Sequence, residues 1–520
     1  MVGAMASEDY VFQRFERRSV TPSQLNECST LFSEHYGRWS DTAEPRRLAG
    51  NPITLSPPRV EKYFDGGEGW LATATLSGEL IGYAIAVRLA LSAGVVSWVT
   101  QMVVHRDHQN QLVGSQMLKS IWGDSHDYAW GIASANPFAV RALEKATRRR
   151  CSPLHMLKHR GSIDNILRKI PYLAGAPVKL GPLQSSIDTN FDQDLSEVAH
   201  RRELASTREA WTMGNISRGE EWLAITFNNQ AQIEWTDEEF ETFIRRSGNI
   251  VQQAYERMSA QNPQDNHPWA SREKAVAEVE FLLTAMGLTP GTSVLDFGCG
   301  AGRHSNALAE HGIAATGVDF SATAIARAEA DAGAELPARF IRADCREVRV
   351  EGKFSAGICL YDVIGSFPDD ASNQRILSNL TSQLVPGAKV AFSVMSYDYI
   401  AARAIHKVGN GNVQRLLHAL QASDSMQRDG EIFNPERILL DTKNKLVYRR
   451  EIFDQGSSLR TEEIVRDRRY TFSDLTTMCK VAGLSIDAIG YVRAGRFELI
   501  NDQPDAPTKE ILVVANKALT

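Results

Sequence analysis

The densest chemistry in the chain lies in Val294-Leu295-Asp296-Phe297-Gly298-Cys299-Gly300-Ala301-Gly302-Arg303-His304-Ser305, an apolar run followed by three alternate glycines and a helix-forming stretch. Glycines at 298, 300 and 302 permit a sharp turn and a close backbone approach to a ligand, and the helix that follows offers free N–H groups at its start. Asp319 ends the apolar Thr316-Gly317-Val318, where a carboxylate can accept hydrogen bonds from ribose hydroxyls. Two residues argue against a nicotinamide dinucleotide. Arg303 stands where the dinucleotide pattern has its third glycine, and Asp296 puts an acid beside the turn that would hold a pyrophosphate. A ligand with cationic groups and no phosphate suits these carboxylates better.

Such residues need a doubly wound frame to position them. Ala343-Asp344-Cys345 follows a third apolar segment, Gly357-Ile358-Cys359-Leu360 reads as a buried fourth strand ending at Tyr361-Asp362, and Val385-Pro386-Gly387 turns into a fifth strand. Over residues 250 to 520 this order resembles the class I S-adenosylmethionine-dependent methyltransferases. The resemblance implies a Rossmann-like, seven-stranded α/β fold. It also implies S-adenosylmethionine contacts at Asp296, Gly298, Gly300, Gly302, Asp319, Phe320, Asp344, Cys345 and Tyr361. Ligands of open parallel sheets sit beyond the C-terminal strand ends, so Tyr361, Asp362 and His304 are candidates to orient or deprotonate a methyl acceptor, and no feature selects among them. No Asn- or Asp-Pro-Pro-Tyr sequence points to a nucleobase or glutamine amine.

Supporting elements are legible around this centre. Ala275, Val279, Leu282, Leu283 and Met286 recur at helical spacing, which predicts an amphipathic helix from Ser271 to Met286. Tyr255 and His267-Pro268-Trp269 precede it, where related enzymes fold a lid. Further on, Arg437 to Asp441 and Lys445 to Phe453 read as a hairpin, Thr461 to Tyr470 as a strand, Ser473 to Ala482 as a helix and Ile511 to Asn516 as a last strand. Arg468, Arg469 and Arg493 could hold an acidic substrate or lie in solvent.

Nearer the N-terminus, Trp70 to Thr75 and Leu80 to Val87 read as a hairpin around Ser77-Gly78-Glu79, and Val95 to Val104 as a further strand. Gln109-Asn110-Gln111-Leu112-Val113-Gly114-Ser115 then opens a helix, a strand–turn–helix order suited to a pyrophosphate. Together with Asn136-Pro137-Phe138, this resembles the GNAT N-acetyltransferase superfamily and implies a mixed sheet with acetyl-coenzyme A at Val103, Gln109, Val113, Gly114, Ser115 and Asn136. Leu112 stands in place of the first loop glycine and Leu143 in place of the tyrosine that commonly protonates the thiolate. An acetyltransferase with a different acid, a coenzyme A sensor and a docking module all remain open.

Composition bounds the rest. The chain has 520 residues, enough for two or three domains, with 43% hydrophobic and 23% charged residues, ordinary for globular proteins. The expected division is a GNAT-like domain over 1–165, a structured connection over 166–250 and a methyltransferase domain over 251–520. Residues 1 to 160 hold 18 basic and 15 acidic residues, a balance of +3 against −9 for the remainder of a chain of net charge −6, which favours an anionic ligand in the first part over nucleic acid along the whole. Six scattered cysteines without CxxC spacing predict reduced thiols and no metal. Met1 to Tyr10 lacks signal-peptide features, so a cytoplasmic protein is expected, with a small-molecule or peptide-like substrate and neither membrane nor nucleic acid as partner. Three classes compete: a paired-domain enzyme on one small substrate, a nucleic-acid methyltransferase and a non-enzymatic sensor.

Overall fold

A computed structural model describes residues 10–123, 125–207, 210–234, 236, 239–240, 271–333, 336–409, 413–425, 432–453, 461–493, 495, 497 and 508–519. The chain divides into two compact units, Met1–Ile250 and Val251–Thr520. Tyr255, His267 and Trp269 lie outside the described residues.

In the first unit the strands are β1 (Val11–Glu16), β2 (Glu68–Leu76), β3 (Glu79–Leu91), β4 (Gly94–Val104), β5 (Ala129–Ser134), β6 (Val178–Gly181), β7 (Gln184–Phe191) and β8 (Gly219–Phe227). They form one sheet in the order β1-β2-β3-β4-β5-β8-β7-β6. Only β4 and β5 run parallel, and their pairing stops early: Val96 to Val99 face Ala129 to Ile132, after which the strands part. Against β3, β4 carries one extra residue, Thr100, because Ile85 pairs with Gln101 while Ala86 pairs with Val99. A bulge bends its strand, and here the Thr100 hydroxyl fixes the bend by donating to the Tyr63 and Ile85 carbonyls at 2.7 and 3.2 Å. Helix Val113–Trp122 fills the crossover between the parted strands.

Residue 165 falls inside the helix Arg160–Lys169, and β8 pairs antiparallel with β5 along its length, so β6 to β8 continue the first sheet. The tetrad Trp222, Leu223, Ile225 and Phe227 is buried there, core that the N-terminal unit cannot give up.

The second unit contains β9 (Ser293–Phe297), β10 (Ala314–Asp319), β11 (Ala338–Arg342), β12 (Phe354–Cys359), β13 (Leu384–Met395), β14 (His406–Val408), β15 (Ile438–Asp441), β16 (Leu446–Phe453), β17 (Thr461–Arg468), β18 (Leu484–Val492) and β19 (Glu510–Lys517). Seven of them form a sheet in the order β11-β10-β9-β12-β13-β19-β18, parallel from β11 to β13 and antiparallel at β19 and β18. Helices cover both faces, so these strands read as unbroken apolar runs. Val294, Ala391, Leu512 and Val514 enter one core, with Val279 and Leu282 of helix Arg272–Met286, while Leu295, Phe297, Val390, Phe392 and Val513 enter the other. The remaining strands, β14-β15-β16-β17, make a separate four-stranded sheet. No helix among the described residues is long and apolar enough to cross a membrane.

Candidate functional site

At the C-terminal end of β9 the chain turns through Gly298, Cys299, Gly300 and Gly302 into helix Arg303–Glu310. Gly298 has φ +72°, and a Cβ there would sit 2.2 Å from Val363 Cγ2, so the loop packs against the segment after β12 in a way only glycine allows. Asp319, at the end of β10, holds the loop from the other side: its Oδ2 accepts from the Gly300 N–H at 3.0 Å and its Oδ1 from Ser321 N–H at 2.9 Å. The turn from Gly298 to Gly302 carries no cation that would repel a sulfonium, and the Asp319 carboxylate stands beside it. These residues fit S-adenosylmethionine.

Other expected contacts are placed less simply. Asp296 lies beneath the loop, 2% exposed, accepting from Ser305 Oγ at 2.7 Å, so it ties strand to helix and does not reach outward. Burial, reinforced by the charge of Asp319 and only partly offset by the Ser305 bond, pushes its carboxyl up to about 7. Asp344 is gripped by its neighbour Arg346, whose Nη2 and Nε reach the carboxylate at 2.7 and 3.1 Å while the guanidinium lies 4.5 Å over the Phe367 ring. Cys345 turns its thiol toward the Val318 carbonyl, and burial raises it far above ionisation. Phe320 is half-buried, its carbonyl accepting from Arg342.

The segment after β12 is backbone-strained. Tyr361 and Asp362 both adopt left-handed φ, +61° and +66°, which costs energy for residues with side chains and aims them across the sheet end. Tyr361 donates its phenol to Glu278, a fully buried carboxylate on helix Arg272–Met286, and lies 4.2 Å beneath the Arg303 guanidinium. Glu278 also accepts from His304 Nε2 at 2.7 Å, Arg303 at 3.4 Å and the Gly495 N–H at 2.5 Å. Burial works to raise Glu278, but His304 and Arg303 outweigh it and keep it ionised, while burial drops His304 to about 4 and leaves it neutral. His304 and Tyr361 are thus engaged as donors to Glu278 and are not poised as bases. Asp362 differs: its Oδ2 accepts from Arg469 at 2.7 Å, and its buried Oδ1 has no partner among the described residues. Burial raises its pKa against the pull of Arg469.

Arg468 and Arg469, weighed as solvent-exposed or substrate-holding, are buried instead. Arg468 pairs with Asp370 at 2.9 Å, and Arg469 joins Asp362 to Asp467, which in turn meets Arg449. Arg493 is exposed. The sequence reading missed Glu278, yet its position three residues after Ala275 and four before Leu282 puts a charge on the buried face, a signal for a buried ion network.

In the first unit a cavity of about 1580 Å³ opens where β4 and β5 part, and Val103, Gln109, Val113, Gly114, Ser115 and Asn136 all line it. Leu112 departs from expectation: it takes the left-handed conformation, φ +65°, that its missing glycine would have supplied. Asn136 caps the helix Pro137–Thr147 by accepting from Phe138 N–H at 3.0 Å, and Gln109 donates to the Val104 carbonyl at 3.1 Å. Leu143 is fully buried in the core. Glu221, unremarked in the sequence, also reaches the cavity; the paired acids Glu220-Glu221 opening a strand were its signal, since alternation sends one of them inward.

A parallel sheet with a glycine turn after its first strand and acids after its second and third defines a nucleotide-cofactor fold of the Rossmann type. Within it, residues 294–387 match the family model described as a methyltransferase domain. That match marks residues 294–387 as a methyltransferase domain that uses S-adenosylmethionine as its cofactor. Similar proteins include the ubiquinone biosynthesis O-methyltransferases of Coxiella burnetii (strain RSA 493 / Nine Mile phase I), 34% identical over 115 residues covering 21% of this chain and 47% of that one. The counterpart of Pseudomonas aeruginosa (strain LESB58) is 32% identical over 141 residues, covering 25% and 59%. The chain thus spans about half the length of the first of these relatives. Among solved structures, an S-adenosylmethionine-dependent methyltransferase from Clostridium acetobutylicum ATCC 824 aligns over 49% of this chain and 96% of its own at 15% identity, with a TM-score of 0.35.

Proposed function

We propose that the second unit methylates a nitrogen or oxygen of a small metabolite or peptide-like intermediate, and that the first unit binds an acyl-coenzyme A and acetylates an amine. The observation that carries the methylation reading is the loop held between Val363 and Asp319, with Asp362 beyond the same sheet end. When bound, S-adenosylmethionine supplies a methyl group on a good sulfonium leaving group. The chain's own work is then to exclude water and align the acceptor. Asp362 has a buried oxygen with no partner among the described residues, which would accept a hydrogen bond or proton from an acceptor O–H or N–H once the turn uncovers it, and Arg469 fixes the other oxygen in place. The names of the relatives support a hydroxyl acceptor.

For the first unit, support comes from the cavity at the parted strands, the free N–H groups beginning helix Val113–Trp122, and basic residues such as Arg106 and Lys145 in the lining. Burial of Leu143 favours a second reading, in which this unit binds without catalysing. The test is release of S-adenosylhomocysteine by the intact protein with catechol, phenol and amine panels. Turnover with one panel, falling about 10²- to 10⁴-fold in Asp362→Asn, is expected; unchanged turnover in that variant removes Asp362 from the reaction.

A further inference from the structure

Carboxylates and guanidiniums alternate in one string that runs from the four-stranded sheet to the turn after β12. Glu451 accepts from Arg449 Nε at 3.0 Å, and Arg449 Nη1 donates to Asp467 at 2.5 Å. Asp467 accepts in turn from Arg469 Nη2 at 3.1 Å, and Arg469 Nη1 reaches Asp362 Oδ2 at 2.7 Å. Glu451, Arg449, Asp467 and Arg469 are each at most 3% exposed. Strand register brings them together. Val447 of β16 pairs with Asp467 of β17 and Arg449 with Val465, and the Arg469 N–H extends the ladder to the Lys445 carbonyl at 2.9 Å, so all four share one face. Elsewhere that face is apolar, with Ile438, Leu440 and Val447 packed on Ile400 of helix Tyr397–Arg403. The Arg468 N–H donates to the Gly365 carbonyl at 2.7 Å, which fastens the end of β17 to the turn and brings Arg469 to Asp362.

A buried ion string is poor material for stability, since apolar residues of similar volume would hold the sheet as well or better. This one ends at the acid that stands beyond the C-terminal strand ends. Arg469 is a planar fork with one nitrogen on Asp362 and the other on Asp467, so the direction in which Asp362 is held follows from Asp467, which Arg449 holds in its turn. We propose that Asp467 and Arg449 are positioning residues for methyl transfer, which act through Arg469 to set the direction and charge of Asp362. This rests on the reading of Asp362 as the group that meets the acceptor, and deepens it. The two residues pull in opposite senses. Asp467 competes for the same guanidinium and holds Asp362 back from ionising, whereas Arg449 satisfies Asp467 and leaves Arg469 to Asp362. Other charged or titratable groups around Asp362, among the described residues, are Glu510 of β19, Tyr470, the Arg468–Asp370 pair and the Glu278–Arg303 pair. None of these belongs to the string.

Carboxyl-carbon NMR titration of the intact protein, labelled at aspartate, reads Asp362 without an acceptor; its signal is the one lost in Asp362→Asn. Asp467→Asn should lower the Asp362 midpoint and Arg449→Gln should raise it, each by about 0.5–1 pH unit, the scale of one charge removed near a carboxylate. Loosened packing alone would move both midpoints down, toward the ordinary carboxylate value of about 4. Shifts of the same sign, or none, overturn the proposal. If Arg449→Gln fails to fold, the double variant Arg449→Met with Glu451→Met, which replaces the outer ion pair by apolar chains, carries the same expectation of a raised midpoint. The acidic limb of kcat/KM for methylation should move with each midpoint. Opposite shifts beside unchanged turnover in Asp362→Asn remove the string from catalysis together with Asp362, whereas turnover lost in Asp362→Asn beside midpoints that do not move sinks the role of Asp467 and Arg449 alone.

Discussion

Asp319 and Asp296 are both acids at the ends of adjacent strands, and their surroundings give them opposite behaviour. Asp319 keeps both oxygens on backbone N–H groups at the loop, so Asp319→Ala is expected to weaken S-adenosylmethionine binding by about 1–3 kcal/mol in a calorimetric titration. Asp296 is buried under the helix and pushed up to about 7. Because the folded form holds this proton more tightly than the unfolded chain, its contribution to stability is complete below about pH 4 and is lost as pH rises through 7. Asp296→Asn should therefore raise the stability of the second unit by up to about 4 kcal/mol at pH 8 and change it little at pH 4, read by denaturant melts at the two values. The sequence announces both acids by position, but burial, which separates them, comes from the helix that Ser305 ties over Asp296.

Among elements, the glycine loop and the helix Arg272–Met286 set the site. Gly298→Ala forces a side chain into a left-handed backbone and into Val363, and should cost about 2–4 kcal/mol together with cofactor affinity. Adding Val363→Ala should return only the packing part, which a double-mutant cycle measures. Glu278 joins that helix to helix Arg303–Glu310 and to the strained turn after β12. Glu278→Ala removes the buried carboxylate shared by Arg303, His304 and Tyr361 and should cost about 3–5 kcal/mol in a denaturant melt, against less for Glu278→Gln. Helical spacing from Ser271 to Met286 and the hairpin around Thr442-Lys443-Asn444 were readable because each rests on local periodicity. The Glu278 network was not, since its members lie far apart in the chain and meet only through the sheet.

At the scale of the molecule, strand pairing decides where one unit ends. Local signals at Ala174-Gly175-Ala176-Pro177 suggest a connection, yet β6 to β8 belong to the first sheet, a non-local fact that no turn signal carries. Residues 1–250 expressed alone should melt cooperatively, whereas residues 1–165 lose the β8 partner of β5, expose that edge and should aggregate or melt without cooperativity in calorimetry. The parallel strands of the second unit were legible because several end at or just before a chemically marked residue, such as Asp319 or Tyr361, whereas their order in the sheet, with β19 between β13 and β18, was not. The four-stranded sheet with Arg449, Asp467 and Arg469 buried in it was legible as strands, and its charged interior was not. The most direct test of the whole is a calorimetric titration of the intact chain with S-adenosylmethionine beside Asp319→Ala. Saturable binding of one molecule per chain, weakened in the variant, is expected; absence of binding at millimolar concentration, or equal affinity in both proteins, contradicts the assignment of the glycine loop and Asp319 as the cofactor site.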